Sequence, residues 1–141
     1  MKIALLQCDH VVKELLPAHG DVPVLFSSLF DRVAPEVFLD VFNVTIGEYP
    51  GSVNDYDGYI SSGARYSVYD NDPWILRFKE FVRELYDYNR KFVGICFGHQ
   101  MIAEALGGKC EKSDHGWGVG IKEVEIYKKR LIFQILYKYK I

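Results

Sequence analysis

Apolar positions along the chain switch between a period near two and a period near 3.6. Ile3–Leu6 is a compact apolar run at the amino end and reads as a central strand buried on both faces. A loop follows from Gln7 to Pro23. Val24, Leu25, Phe26, Leu29, Phe30 and Val33 then recur at helical spacing, with Asp21 as N-cap, Pro23 in the first turn and Pro35 closing the segment. Residues 37–44 alternate as a second strand, with Phe38, Asp40, Phe42 and Val44 on one face. Turn chemistry fills residues 47–57, and Gly58–Ser61 is a short third strand.

The clearest helix runs from Trp74 to about Tyr88. Asp72 is its expected N-cap and Pro73 its first residue. Ile75, Phe78, Phe81, Val82 and Leu85 fall on one face, while Arg77, Lys79, Glu80, Arg83 and Glu84 are expected to be solvated. Phe92–Ile95 is a fourth, buried strand. A helical segment from Gln100 to Leu106 follows, stopped by Gly107-Gly108. Residues 109–112 read as a further short strand, residues 121–127 as an alternating one, and the apolar stretch 131–139 as a last one rich in β-branched and aromatic residues.

Strands alternating with helices imply parallel pairing and right-handed crossovers. A site in such a sheet is expected at the carboxyl ends of the strands. At 141 residues the chain suits one domain with a real core. A formal net charge of -2 makes no electrostatic case for nucleic acid or an anionic membrane surface. The 15% aromatic content is assigned to packing rather than to base stacking. Cys8, Cys96 and Cys110 are far apart and odd in number, which argues for a reducing compartment and against a disulfide framework. No signal segment or membrane-length apolar run is legible, so the expected location is cytoplasmic. Cys8, His10, Cys110 and His115 match no compact metal spacing, and neither a metal nor a cofactor is expected.

The candidate chemistry sits in Gly94-Ile95-Cys96-Phe97-Gly98-His99-Gln100. A reactive residue between glycines at a strand-to-helix junction is the nucleophile-elbow pattern, here with Cys96 in the nucleophile position. Gly94 and Gly98 are the structural elbow, because the turn leaves no room for a Cβ. The helix N-terminus favours a thiolate, and its unpaired N–H groups can hold a developing oxyanion. Upstream, Ser62-Gly63-Ala64-Arg65 follows the third strand, where a glycine lets the backbone approach a substrate closely.

The elbow, the His99-Gln100 pair and Gly107-Gly108 after one helix together resemble the nucleophile segment of class I glutamine amidotransferases, nearest to the free-standing, GMP-synthase-like type. The resemblance implies an α/β fold: a flavodoxin-like three-layer sandwich with a mostly parallel central sheet, here incomplete at the C-terminus. It implies hydrolysis of the glutamine side-chain amide through a Cys96 thioester. Gly63 and Phe97 would supply oxyanion N–H groups, and Gln100 would orient the substrate. His115 and Gly116 would meet the glutamine backbone, and His99 would have a packing role.

The resemblance covers residues 1–128, and residues 129–141 read as an atypical basic and apolar tail. The His and Glu that complete the family's triad have no counterpart, so the chain reads as a truncated or frame-shifted member with impaired hydrolysis. The alternatives are a non-catalytic remnant and a relative that hydrolyses γ-glutamyl peptides. The expected partners are glutamine or a γ-glutamyl compound, with self-association through an exposed sheet edge.

Overall fold

The computed structural model describes residues 1–114 and residue 116. His115, the strand expected over 121–127, the boundary at 128 and the stretch 131–139 lie outside them. The chain divides into two units, 1–111 and 112–141. The described part of the second is a turn in which the Gly116 N–H meets the Ser113 carbonyl at 3.4 Å.

In the first unit, β1 (Lys2–Gln7), β2 (Phe38–Asn43), β3 (Gly58–Ser61) and β4 (Phe92–Gly94) form one sheet in the order β2-β1-β3-β4. All three pairings are parallel, with Ala4 opposite both Asp40 and Tyr59, and Tyr59 opposite Phe92. This is the flavodoxin-like order, and it puts β1 at the point where the connections reverse direction. Between β1 and β2 come α1 (Leu16–His19) and α2 (Val22–Val33), α3 (Pro73–Asp87) joins β3 to β4, and α4 (Phe97–Ala105) follows β4. Among the described residues no helix is long and apolar enough to cross a membrane.

Side chains alternate across the sheet, so Ala4, Leu6, Tyr59 and Phe92 share one face. They join α3 and α4 in a single core cluster. All five apolar residues expected on the inner face of α3 are buried. Phe78 is the hub: it stacks on Phe97 of α4, with ring centroids 6.4 Å apart, and meets Phe92 edge-on at 6.5 Å. Tyr49, Tyr56 and Tyr59 pack with Phe81 and Phe42 in a second aromatic group, as the packing role of these residues predicts. The opposite face is thinly covered. Leu5 is buried there, yet α2 buries none of its own residues, and Val24, Leu29, Val33, Val41 and Val93 stay exposed.

Several elements differ from the sequence reading, each for a local reason. Leu16–His19, expected as loop, closes one helical turn because the Gly20 N–H reaches the Leu16 carbonyl, with Gly20 at φ 73°. Val44 leaves the second strand for a 3₁₀ turn (Val44–Ile46), whose Thr45 N–H is capped by the Asn43 side chain at 3.1 Å. Asp72 holds the N-cap position of α3 without a side-chain bond. Lys79 and Arg83 are not merely solvated. Lys79 pairs with Glu104 at 3.3 Å, and the Arg83 Nε–H donates to the Ala105 carbonyl at 2.9 Å, so both fasten α3 to α4. Residues 109–112 form no strand: the Cys110 N–H that a ladder would need is taken by Glu104 Oε1 at 2.6 Å.

The hub position makes a stability prediction. Phe78→Ala should lower the unfolding free energy by about 3–5 kcal/mol, whereas Leu76→Ala, on the exposed side of α3, should change it by less than about 0.5 kcal/mol. Urea unfolding followed by circular dichroism reads both.

Candidate functional site

The carboxyl ends of β1, β3 and β4 lie side by side, and Gly63 and Cys96 meet there. β4 stops at Gly94 and α4 begins at Phe97, three residues earlier than its apolar pattern suggested. The chain therefore turns from strand to helix within Ile95-Cys96. That abruptness is visible in the backbone: Cys96 sits at φ 50°, ψ -101°, outside the regions an L-residue favours. A strained non-glycine residue costs of the order of 1–3 kcal/mol and persists where its surroundings over-determine it.

The surroundings here are two glycines and a serine. A Cβ on Gly94 would lie 2.3 Å from the Gly98 carbonyl carbon, and one on Gly98 would lie 1.8 Å from Ser61 Oγ. The first turn of α4 thus rests directly on β3 and β4. Ser61 is completely buried, and its Oγ has no hydrogen-bond partner among the described residues.

Cys96 itself is exposed. Beside it, the Cβ position of Gly63 lies 3.5 Å from Cys96 Cβ, so the loop after β3 borders the thiol. The Phe97 N–H is one of the donors every helix start leaves unpaired, and no acceptor among the described residues takes it or the Gly63 N–H. Gln100 and His99 are exposed on α4, the Gln100 carbonyl accepting the Cys110 thiol at 3.6 Å. Gly116 is exposed at φ 72° and belongs to the second unit. No imidazole among the described residues is hydrogen-bonded to Cys96.

The other two thiols have different settings. Cys8 is fully buried beneath the loop after β3, and burial pushes it up to about 12 despite its hydrogen bond with Ser62. Its N–H donates to Ser62 Oγ at 2.9 Å, and the Ser62 N–H donates to the Leu6 carbonyl at 3.1 Å. These bonds lock the loop that carries Gly63 onto the end of β1.

Sequence reasoning missed a polar clasp along the same edge. His10 Nδ1 lies 2.6 Å from Asp21 Oδ2, and His10 Nε2 lies 3.2 Å from the Asn43 amide nitrogen. The buried Gln7 amide donates to Asp21 and to the Asp9 carbonyl. Burial works to raise the Asp21 carboxyl, but the Val11 N–H, His10 and the Val22 N–H outweigh it and hold it at about 2. Asp9 grips Arg65: Arg65 Nε is 2.9 Å from Oδ2, Nη2 is 2.9 Å from Oδ1, and the Arg65 backbone N–H also donates to Oδ2 at 2.9 Å. Burial raises Asp9 too, and the Arg65 bonds overcome it and leave the carboxyl below its ordinary value. The available signal was the position of Gln7 and Asn43 as polar last residues of adjacent strands.

A family model for "Glutamine amidotransferase class-I" matches residues 39–139. Gamma-glutamyl peptidase 4 of Arabidopsis thaliana is 35% identical over 95 residues, covering 66% of this chain and 38% of that protein. Gamma-glutamyl peptidase 5 of the same plant is 33% identical over 109 residues, covering 76% and 43%. The chain thus spans about two fifths of these relatives. Among solved structures, a glutamine amido transferase from Methylobacillus flagellatus superposes with TM-score 0.55 at 20% identity, over 77% of this chain and 39% of that one, a likeness of fold.

Two predictions follow from this geometry. Gly98→Ala should destabilise the fold by about 2 kcal/mol or more through overpacking. Adding Ser61→Gly should recover part of that loss, giving a favourable coupling of at least about 0.5 kcal/mol in a double-mutant cycle; additive losses would place the crowding elsewhere. The second concerns acid. Asp21 has a folded value near 2 against an ordinary 3.8, so its contribution is present above about pH 4 and lost as pH falls toward 2. Asp21→Asn should be less stable than the parent at pH 6, with the difference shrinking through that window.

Proposed function

Because this chain belongs to the class-I glutamine amidotransferase family, we propose that Cys96 is the nucleophile for the γ-amide carbon of glutamine or of a γ-glutamyl compound. The observation that supports it best is the strained, exposed Cys96 at the start of α4, bordered by Gly63, with N–H groups at Phe97 and Gly63 that no acceptor among the described residues takes. In this reading the sulfur bonds to the amide carbon, and the carbonyl oxygen gathers negative charge opposite those two N–H groups. The carbon–nitrogen bond then breaks, the nitrogen leaves as ammonia or an amine with one added proton, and a thioester remains. Water attacks it, releasing glutamate and restoring the thiol. Gln100 orients the substrate's polar groups, and His115 and Gly116 belong to the same proposal as partners of its α-amino and α-carboxylate groups. Gly94 and Gly98 serve by keeping the turn tight.

A peptide-type substrate is favoured by the similarity to proteins named gamma-glutamyl peptidases. A cytoplasmic location is part of the proposal and is supported by three free cysteines. Self-association is supported by the apolar side chains left exposed on α2 and β4.

The first test is chemical. Iodoacetamide near neutral pH should label Cys96 first and Cys110 more slowly. Cys8 should label only on unfolding, since it is buried and held protonated. Faster labelling of Cys8 or Cys110 would count against the elbow assignment. The second test is ammonia release from glutamine. With no imidazole bonded to Cys96 among the described residues, turnover is expected to be slow; removing the base of a Ser triad costs about 10⁶ in rate. What turnover there is should vanish in Cys96→Ala. Activity that survives this change overturns the proposal, and fast activity that it abolishes directs the search for a base to His115→Ala.

A further inference from the structure

Ser62 stands between the end of β1 and the glycine that borders the thiol, and it bonds in both directions. It is buried. Its N–H donates to the Leu6 carbonyl at 3.1 Å, and its Oγ accepts the Cys8 N–H at 2.9 Å. The same hydroxyl donates to the Gly63 carbonyl at 3.0 Å. Its proton is free for Gly63 because burial keeps Cys8 a neutral thiol, whose S–H turns to the Leu6 carbonyl at 3.5 Å. One side chain thus joins β1 to the peptide group that leaves Gly63.

The need for such a tie comes from Gly63 itself. Glycine has the widest backbone freedom of any residue, so bonds from outside have to set the conformation of this one. The chain enters through Ser62, whose N–H is held by Leu6, and leaves through a carbonyl held by Ser62 Oγ. Further along the loop, Asp9 Oδ2 holds the Arg65 N–H at 2.9 Å, an anchor that does not depend on Ser62. The Cβ position of Gly63 is 3.5 Å from Cys96 Cβ, and no acceptor among the described residues takes its N–H. We infer that Ser62 is a positioning residue for the chemistry at Cys96: its hydroxyl keeps Gly63 in the conformation in which the Gly63 N–H serves the oxygen that gathers charge. The inference rests on the thiol reading proposed above and deepens it, and it requires no contact between Ser62 and a substrate. Removing an oxyanion donor outright costs about 10²–10³ in rate, and a donor that is present but misdirected keeps part of its effect, so the expected loss is about ten- to hundredfold.

The test compares two electrophiles at the same sulfur, on the full chain, by mass spectrometry of the Cys96 peptide. With p-nitrophenyl acetate the sulfur bonds to the carbonyl carbon and the carbonyl oxygen becomes an oxyanion. The carbon–oxygen bond then breaks to release p-nitrophenolate, and the thiol proton passes to solvent. With iodoacetamide the sulfur displaces iodide from a saturated carbon, and no oxyanion forms at the reacting centre. Both reactions need the thiolate, so its ionisation cancels in the ratio of acetylation to alkylation rates. That ratio should be higher for Cys96 in the parent than for free cysteine. Ser62→Ala should lower it about ten- to hundredfold, and Ser62→Thr, which keeps the hydroxyl, should retain most of it. A Ser62 that only supports the fold would change both rates together and leave the ratio as it was, which overturns the inference. Should Ser62→Ala fail to fold, Ser62→Cys decides, because a thiol fills the space but bonds weakly: its ratio must fall, and an unchanged ratio overturns the inference. If the parent exceeds free cysteine and the loss of the hydroxyl makes no difference, this inference fails and the proposed function stands. If the parent does not exceed free cysteine, both fail.

Discussion

The first turn of α4 has to lie against the sheet with no side chain between them, and the rest of the edge is arranged around that contact. Gly94 faces the Gly98 backbone, and Gly98 faces Ser61 Oγ, at distances that exclude any Cβ. Pulling the helix start down onto β3 and β4 forces the turn to close in two residues. The conformational strain collects at Cys96, at φ 50°. Strain of this kind survives only if the packing on either side exceeds its cost. Here that packing is the Phe78–Phe97–Phe92 group, which anchors α4 to α3 and to β4 one residue beyond the strained position. The Cys96 thiol is exposed while its neighbour Phe97 is buried.

Stabilisation is unevenly shared between the two faces of the sheet. One face holds the aromatic clusters and both inner helix faces, and Lys79–Glu104 and Arg83–Ala105 reinforce the α3–α4 contact at the rim. On the other, α2 lies on β1 with a row of apolar side chains still in water.

Along the carboxyl edge the organisation is electrostatic. Polar side chains tie together the loops leaving β2, β1 and β3: Asn43 to His10, Asp9 to Arg65, and Ser62 to the Cys8 N–H, while His10 holds Asp21 within the segment after β1. The bonds are short and mutually supporting, and they hold Asp9 and Asp21 ionised at pH values where free carboxyls begin to protonate. The loop carrying Gly63 is thereby held in place by the protein's own side chains.

What the sequence determined by itself is what repeats or leaves no alternative. The period of Ile75, Phe78, Phe81, Val82 and Leu85 defined the buried face of α3, because helix geometry maps that spacing to one side. Alternating strands and helices implied parallel pairing, since right-handed crossovers allow few arrangements, and the flavodoxin-like order was implied by the family resemblance of the elbow segment. The glycines of the elbow marked a close backbone approach. What only the tertiary structure decided depends on residues distant in sequence. That Gly98 is confined by Ser61, 37 positions earlier, follows from strand order and register, which no local window contains. The loss of the strand at 109–112 was decided by Glu104 capturing the Cys110 N–H. The polar clasp was invisible for the same reason: Asp9 and Arg65, 56 positions apart, meet because β1 and β3 are neighbours, and a pairing energy between side chains has no signature until the sheet brings them together.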